Sequence, residues 1–379
     1  MGFIHARTPL AGTALASLVA IATAAAAPPP PKQVADAFVA AIVAANPQAQ
    51  VTYAAAAVAG NDITITGINL SSTEITSGTI GKVTIVNPAA APNGGFTADR
   101  VNVEAGKLSS QNTSLAWQSG SATGIILPSN AQAAAQSGAL PFARLAMTGM
   151  TLTRTELARP ITIAGSTMTV TAPSGDTKVT VDGIKVPIAA FDNSSVLKDL
   201  VKSLGYTADF TINISASSTA AGGDGLSLRS MDIVADQVGK LAINARTSGV
   251  TADALAKTDK VGDIIGTASL NQLSIRFDNS GVVDRLLDAQ AKAQGQKRAE
   301  LVEVWTQALP FFLAIAGVTN EPLQNKVSGA VTTFLKTPKS LTISLKLSSP
   351  LALTEILSTA RKDPDAFLAK LGLEVTANN

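Results

Sequence analysis

The chain has 379 residues and a formal charge of +2, with charged residues at 15% and aromatics at 4%. Charge is well below the usual quarter, and Lys292, Lys297 and Arg298 are the nearest thing to a basic cluster, so nucleic acid is not expected as a partner. Cysteine is absent and His5 is the single histidine, which excludes disulfides, thiolate catalysis and Cys-ligated zinc.

Residues 1–27 read as a secretory signal peptide. His5 and Arg7 give a weakly positive start, Leu10 to Ile21 is a short apolar stretch, and Ala22 to Ala27 offers small-residue cleavage sites. An uncleaved anchor is the alternative, although Ala, Thr and Ser make a weak span. Residues 28–32 form a stiff Pro-rich linker. Cleavage would leave a mature chain with neither His nor Cys. Imidazole acid–base chemistry, a Ser-His-Asp triad and His-bound metal would then be unavailable. The expected location is the periplasm or cell envelope, with no cofactor, no metal and no catalytic residue assigned.

Gln33 to Ala45 predicts an amphipathic helix carrying Val34, Phe38, Ala41 and Ile42, stopped by Asn46-Pro47. From Val51 to Ala245 the period becomes two. Ile63-Thr64-Ile65, Val83-Thr84-Ile85, Val101-Asn102-Val103, Ile161-Thr162-Ile163, Met168-Thr169-Val170 and Val179-Thr180-Val181 each alternate an apolar residue with Thr or Asn. Phe210 to Ile214, Leu226-Ser227-Leu228 and Leu241-Ala242-Ile243 extend the series. Such strands have one buried and one wet face, and the short Gly/Asn/Pro/Asp connections imply antiparallel meanders. Asn130 to Gly138 is a loop or short helix.

One motif recurs. Thr66-Gly67-Ile68-Asn69-Leu70 returns 82 residues later as Thr148-Gly149-Met150-Thr151-Leu152. Lys82 to Pro88 is echoed by Thr167 to Pro173, and Arg100 to Glu104 by Lys178 to Asp182. A duplicated unit follows, with residues 63–108 and 145–186 expected to superpose. Phe191-Asp192-Asn193-Ser194 and Phe277-Asp278-Asn279-Ser280 form a second pair at strand-to-helix junctions, where Asp192 and Asp278 read as part of helix caps.

The last third turns helical. Stripes run through Val282 to Ala293, through Leu301 to Leu309 with Pro310 ending or kinking the helix, and through Leu323 to Phe334. Leu341 to Leu347 alternates as a strand, Asp363-Pro364 opens a last helix that Gly372 stops, and Leu373 to Thr376 adds a strand. The organisation expected is a duplicated β-rich region over 33–247 and a helical region with closing strands over 248–379, continuous with it. The fold class is α+β, mainly an antiparallel meander, with the C-terminal helices packed on the sheet.

Chemistry is sparse. Ser195-Val196-Leu197-Lys198 fits the Ser-x-x-Lys of penicillin-recognising serine enzymes, but no Lys-Thr-Gly or Ser-Asp-Asn accompanies it. Paired carboxylates for glycoside hydrolysis could come from Glu74, Glu104, Glu156, Asp182 or Asp232, none ranked above the others. The one-sided strands, the Gly-started pairs Thr66-Gly67-Ile68 and Asp182-Gly183-Ile184, and Gly239 to Ala245 resemble parts of the AsmA-like periplasmic envelope proteins. The resemblance covers Val51 to Ala245. It implies an extended, curved sheet with an apolar inner groove and a role in phospholipid transport or envelope homeostasis. Those proteins are usually anchored, whereas here the leader reads as cleaved and the chain ends in helices.

The function expected is an exported, non-enzymatic envelope protein binding a lipid or other hydrophobic ligand along a sheet face, with inward residues such as Ile85 and Val181. A second sheet or the C-terminal helices could cover that face instead. An adhesion or scaffold module without ligand is the alternative, and a Ser-Lys hydrolase the remote one. Membrane contact fits, although Ala308 to Val318, the most apolar later stretch, is about half the length of a span.

Overall fold

The computed structural model describes residues 29–73, 75–91, 95–127, 142–171, 174–219, 226–249, 268–359 and 371–379. The expected leader, Asn130 to Gly138, Glu74 and the helix start at Asp363-Pro364 lie outside the described residues.

Helix α1 (Pro31–Ala45) begins with Pro at its first turn, where a missing N–H costs nothing, and Asn46 leaves helical geometry at its end. The strands follow. They are β1 (Gln50–Thr52), β2 (Ala55–Ala59), β3 (Asp62–Ser71), β4 (Ser77–Val86), β5 (Ala89–Ala90), β6 (Phe96–Ser109), β7 (Thr113–Leu127) and β8 (Arg144–Arg154). Then come β9 (Ile161–Thr171), β10 (Asp176–Val186), β11 (Phe210–Ser218), β12 (Leu226–Ala235), β13 (Gly239–Ser248) and β14 (Ser269–Asn279). Strands β15 (Ser340–Ala352) and β16 (Leu373–Ala377) close the chain. All belong to one sixteen-stranded sheet whose order follows the sequence from β3 to β16, with β1 and β2 both on β3 and β5 on β6. The pairing is antiparallel, for instance at β3–β4, β9–β10 and β14–β15. The α+β meander expected from the alternation is the observed fold.

Strand length departs from the expected short runs. Ile161–Ile163 and Met168–Val170 are the two ends of the single strand β9, and Ile63–Ile65 is the start of the longer β3. In β9 the alternation breaks at Ala164, which has no positive φ but lies across from positive-φ glycines on both neighbours, and in other strands the break falls on a positive-φ residue itself. Gly67 in β3, Ala105 in β6, Gly149 in β8 and Gly183 in β10 have φ of 65°, 52°, 60° and 63°. The register puts Gly67 across from Gly81, Gly81 across from Ala105, and Gly149 and Gly183 across from Ala164. These positions form one seam across the sheet. At β10–β11 the seam carries a bulge between Val181 and Ile184, and a bulge bends its strand and strengthens its twist. Apolar residues therefore stand three apart across the seam, as at Ile65 and Ile68 or Val181 and Ile184, and still share a face.

Gly67 and Gly149 both lie on this seam, across from Gly81 and Ala164. The echo of Lys82 to Pro88 needs correction by two residues. Register matches Lys82 with Gly165 instead of Thr167, a shift that keeps every side chain on its face.

Helix α2 (Ser195–Ser203) follows a 3₁₀ turn at Ile188–Asn193. Helices α3 (Val282–Ala293), α4 (Arg298–Ile315) and α5 (Glu321–Lys336) lie between β14 and β15, and α6 (Leu353–Thr359) follows β15. The capping roles fall just after the aspartates. The Ser194 hydroxyl accepts from Leu197 N at 3.4 Å, and Asn279 Oδ1 accepts from Gly281 N at 3.1 Å and Val283 N at 3.0 Å. Asp192 pairs instead with Lys198, and Asp278 with Arg276. Helix α4 runs through Pro310 to Ile315. The ring removes one bond at an exposed site, and the ladder resumes, with Ala316 N on Phe312 O at 3.0 Å.

Two apolar clusters hold the ends. Val34, Ala35 and Ala37 of α1 are buried against Ile63, Ile65, Val83 and Ile85, all 0–2% exposed. At the other end Leu287 and Ala291 of α3 pack with Leu301 and Val302 of α4, and Leu335 of α5 joins them. Helix α5 touches β15 and β16, and its Phe334 meets Phe277 of β14 edge to face at 6.4 Å between centroids.

Candidate functional site

The register traces a single row of side chains across the sheet, on the face that carries α1. It starts Ile63, Ile85, Val101, Ala122, Leu145 from β3 to β8. It continues Met168, Val179, Ala216, Met231 from β9 to β12. It ends Ile243, Ile275, Ile343, Val375 from β13 to β16. Every member is apolar. One residue along each strand, on the other face, stand Thr64, Thr84, Asn102 and Ser121, then Thr167, Thr180, Ser215 and Asp232. Paired positions in an antiparallel ladder share a face and successive ones alternate, so the sheet is largely one-sided, with Ala146 and the buried Ala242 as small apolar breaks in the outer row. A second inner row runs beside the first through Ile65, Val83, Val103, Gly120, Met147, Ser166, Val181, Ile214 and Ile233, apolar but for Ser166 and Gly120.

Exposure divides this face into three parts. Under α1, Ile63, Val83 and Ile85 are 0% exposed. Beyond the cover of α1, Leu145, Met168, Val179, Ala216, Met231, Ile243 and Ile275 are only half-buried. At the far end Ile343 of β15 is 39% exposed, and only Val375 of β16 is again buried, beside α5. Helix α4 stacks on α3 and on α5, and among the described residues the main helix contacts with the sheet are those of α1 with β1, β2, β3 and β7, of α5 with β15 and β16, and of α6 with β15. Five strand spacings separate β8 from β13, roughly 24 Å of apolar floor.

An apolar cavity of about 320 Å³ marks where the closed part opens. It lies between Phe38, Ala41 and Ile42 of α1 and Val103, Ala122 and Leu145 of the sheet, with Phe142 at its side. A larger hollow of about 550 Å³ sits between α4 and α5, with Arg298 on its wall. Arg298 is already bonded to Asp284 at 2.7 Å, so that hollow brings together no free chemistry, and the smaller cavity, continuous with the apolar row, is the better candidate.

The other candidate residues do not converge. Ser195 is exposed at the start of α2, and Lys198 is turned to Asp192 at 3.3 Å. Among the described residues no hydrogen bond joins Ser195 to Lys198. Glu104, Asp182 and Asp232 all lie on the polar face. Glu104 and Asp182 are four strands apart, roughly 19 Å, and Asp182 and Asp232 are roughly 12 Å apart by register, beyond the span of a glycosidase pair. Glu104 faces Lys82 at 3.5 Å, Asp232 faces Lys240 at 3.0 Å, and Glu156 pairs with Arg154. Among the described residues no group of three or more His, Cys, Asp or Glu could hold a metal.

Shifted carboxylates are anchors at the sheet ends. Lys32 at 2.7 Å and the Tyr53 hydroxyl at 2.8 Å hold Asp36 below the usual carboxylate range, tying α1 to the chain before β2. Arg159, with 2.5 Å and 3.2 Å bonds, and then Ile188 N hold Asp209 down. Burial pushes Asp284 up, but Arg298 and Asn279 together outweigh it and leave it lowered.

No sequence motif marks the row itself. Its signal was the Thr-x-Thr spacing read strand by strand, but linking strands needs the register. Among known proteins, a family model described as an uncharacterised protein matches residues 232–378, from β12 to the C-terminal end of β16. No curated protein matches the chain.

Proposed function

We propose that this chain is an exported cell-envelope protein, without enzymatic activity, that holds the acyl part of a lipid along the inner face of its sheet. The observation that carries the reading is the unbroken apolar row, buried under α1 at one end and left half-buried or exposed from β8 to β15. An apolar face of that length does not stay in water, since each aliphatic side chain gains about 1.5–3 kcal/mol on full burial. A floor of roughly 24 Å exceeds the roughly 15 Å depth of one leaflet's hydrocarbon, so an acyl chain fits along it. The leader-like residues 1–27 support export. The similarity to AsmA-like proteins supports the same use of a long one-sided sheet. The placement of Gly67 and Gly149 on one seam supports a duplicated module as the way that length arose.

The test is native mass spectrometry of protein purified from the envelope, followed by lipid extraction. Wild type should carry phospholipid. Val181→Asp places a carboxylate on the open part of the inner face and should empty it. Thr180→Asp, one residue along on the polar face, should not. Ile85 is unsuitable for this purpose, being wholly buried under α1. Lipid-free wild type, or equal loss in both variants, would sink the reading.

A further inference from the structure

The second half of α4 is the most exposed apolar element among the described residues. Phe311, Phe312 and Ile315 are 65%, 58% and 69% exposed. No charged residue occurs from Val304 to Asn320, between Glu303 and Glu321. Its base is fixed at the sheet end by the Arg298–Asp284 bond at 2.7 Å. An 18-residue helix carries the turn at Ala316 to Asn320 roughly 25 Å from that base before α5 returns.

What could cover this tip is limited by its shape. At 100° per residue, the exposed Pro310, Ala314, Phe311, Ile315 and Phe312 sweep roughly 200° of the helix. A helix that docks in a protein groove offers a narrower stripe of i, i+3, i+4, i+7 anchors. Counting about 200 Å² for each of the three large side chains, the exposed part comes to roughly 400 Å². That is about half of what each partner contributes to a standard protein interface. A charge-free tip apolar on several sides suits a solvent of hydrocarbon, and the apolar run Ala308 to Val318 is the length of one leaflet.

We propose that the α4–α5 tip docks on a lipid bilayer, with Phe311, Phe312 and Ile315 entering one leaflet. Tip and groove share no residue, so either can fail alone.

The absence of cysteine allows a single label to be placed. Ala314→Cys carrying an environment-sensitive fluorophore is mixed, in the full chain, with zwitterionic phosphatidylcholine vesicles, and Lys178→Cys on the polar sheet face is the control. The Ala314 label should shift to the blue with vesicles and the Lys178 label should not. The triple change Phe311→Ser, Phe312→Ser, Ile315→Ser should weaken vesicle co-sedimentation at least tenfold with no fall in urea midpoint, while Val181→Asp should bind vesicles as wild type does. Docking that survives the triple change overturns the proposal, as does docking lost only in Val181→Asp. A blue shift that grows with protein concentration without vesicles would assign the tip to a second copy of the chain and overturn it as well.

Discussion

If the seam is a backbone requirement of the sheet, it should respond to methyl groups in opposite directions at neighbouring positions. Gly183 has φ of +63°, and a Cβ added there would stand 2.8 Å from Ala164 Cβ. The left-handed region costs an alanine roughly 1–2 kcal/mol. The contact is far inside the 3.5–4.0 Å optimum for two carbons and adds about 1–3 kcal/mol of overpacking. Loss of unfolded-state freedom returns about 0.4–1 kcal/mol. Gly183→Ala should therefore destabilise by about 2–4 kcal/mol. Gly175, in the turn between β9 and β10, has φ of +74° and open space around its Cβ position. Gly175→Ala should cost about 1 kcal/mol or less, from conformation alone. Ala105 already bears the strained conformation, at φ of 52°. Ala105→Gly should therefore stabilise, by about 0.5–1 kcal/mol, once the looser unfolded chain is subtracted. Urea titrations followed by far-ultraviolet circular dichroism give the three midpoints at constant slope. A destabilising Ala105→Gly, or a Gly183→Ala no worse than Gly175→Ala, would refute the seam as a backbone requirement.

Two further outcomes are expected from the same titrations. Ile65→Ala, at 0% exposure under α1, should cost about 4 kcal/mol, whereas Ile214→Ala on the open inner face should cost about 2 kcal/mol because no closed cavity is left; equal costs would mean the middle of the face is packed. Asp209 has a native pKa below its unfolded value, so its bond to Arg159 contributes fully above the ordinary carboxylate pKa near 3.8 and is lost as pH falls through the lowered native value. Asp209→Asn should then flatten the fall in urea midpoint between about pH 5 and pH 2, and an unchanged acid limb would count against that link.

Much of the sheet was legible because its alternation is plain. The Thr-spaced runs at Ile63, Val83, Val101, Val179 and Leu241 all lie in strands, and the short polar connections dictated the meander. Strand β7 was not legible, since its inner positions Gly120 and Ala122 are too small to mark a face. In β14 the alternation of Leu273, Ile275 and Phe277 was present, but Phe277 drew notice only as a helix junction. The strand lengths were masked by the seam, because the alternation slips by one where a strand crosses it and makes one strand, such as β9, read as two. Helix α4 outran Pro310 because the site is exposed and the missing bond is easily tolerated. The groove was legible only as an apolar face, because alternation reports what a strand turns to one side and not what lies on that side.

The disposition of the helices bears most directly on that last question. The chain carries enough helix to cover its own sheet. Helix α1 does so over β3 to β7 and drives Ile63 and Ile85 to zero exposure. If the whole apolar face were ordinary core, α3 and α4 would be expected to lie across β8 to β13 in the same manner. Helix α4 packs instead between α3 and α5, with Leu287, Leu301, Val302 and Leu335 in one cluster, and of the three α5 makes the main contact with the strands among the described residues. Leu301 and Leu287 thereby reach full burial without the sheet's help, so nothing in their own packing would draw them over Val179 or Ile243. Under the proposal above, the part of the row left half-buried beyond α1 is the floor that a hydrocarbon occupant would cover, while α1 already buries the rest.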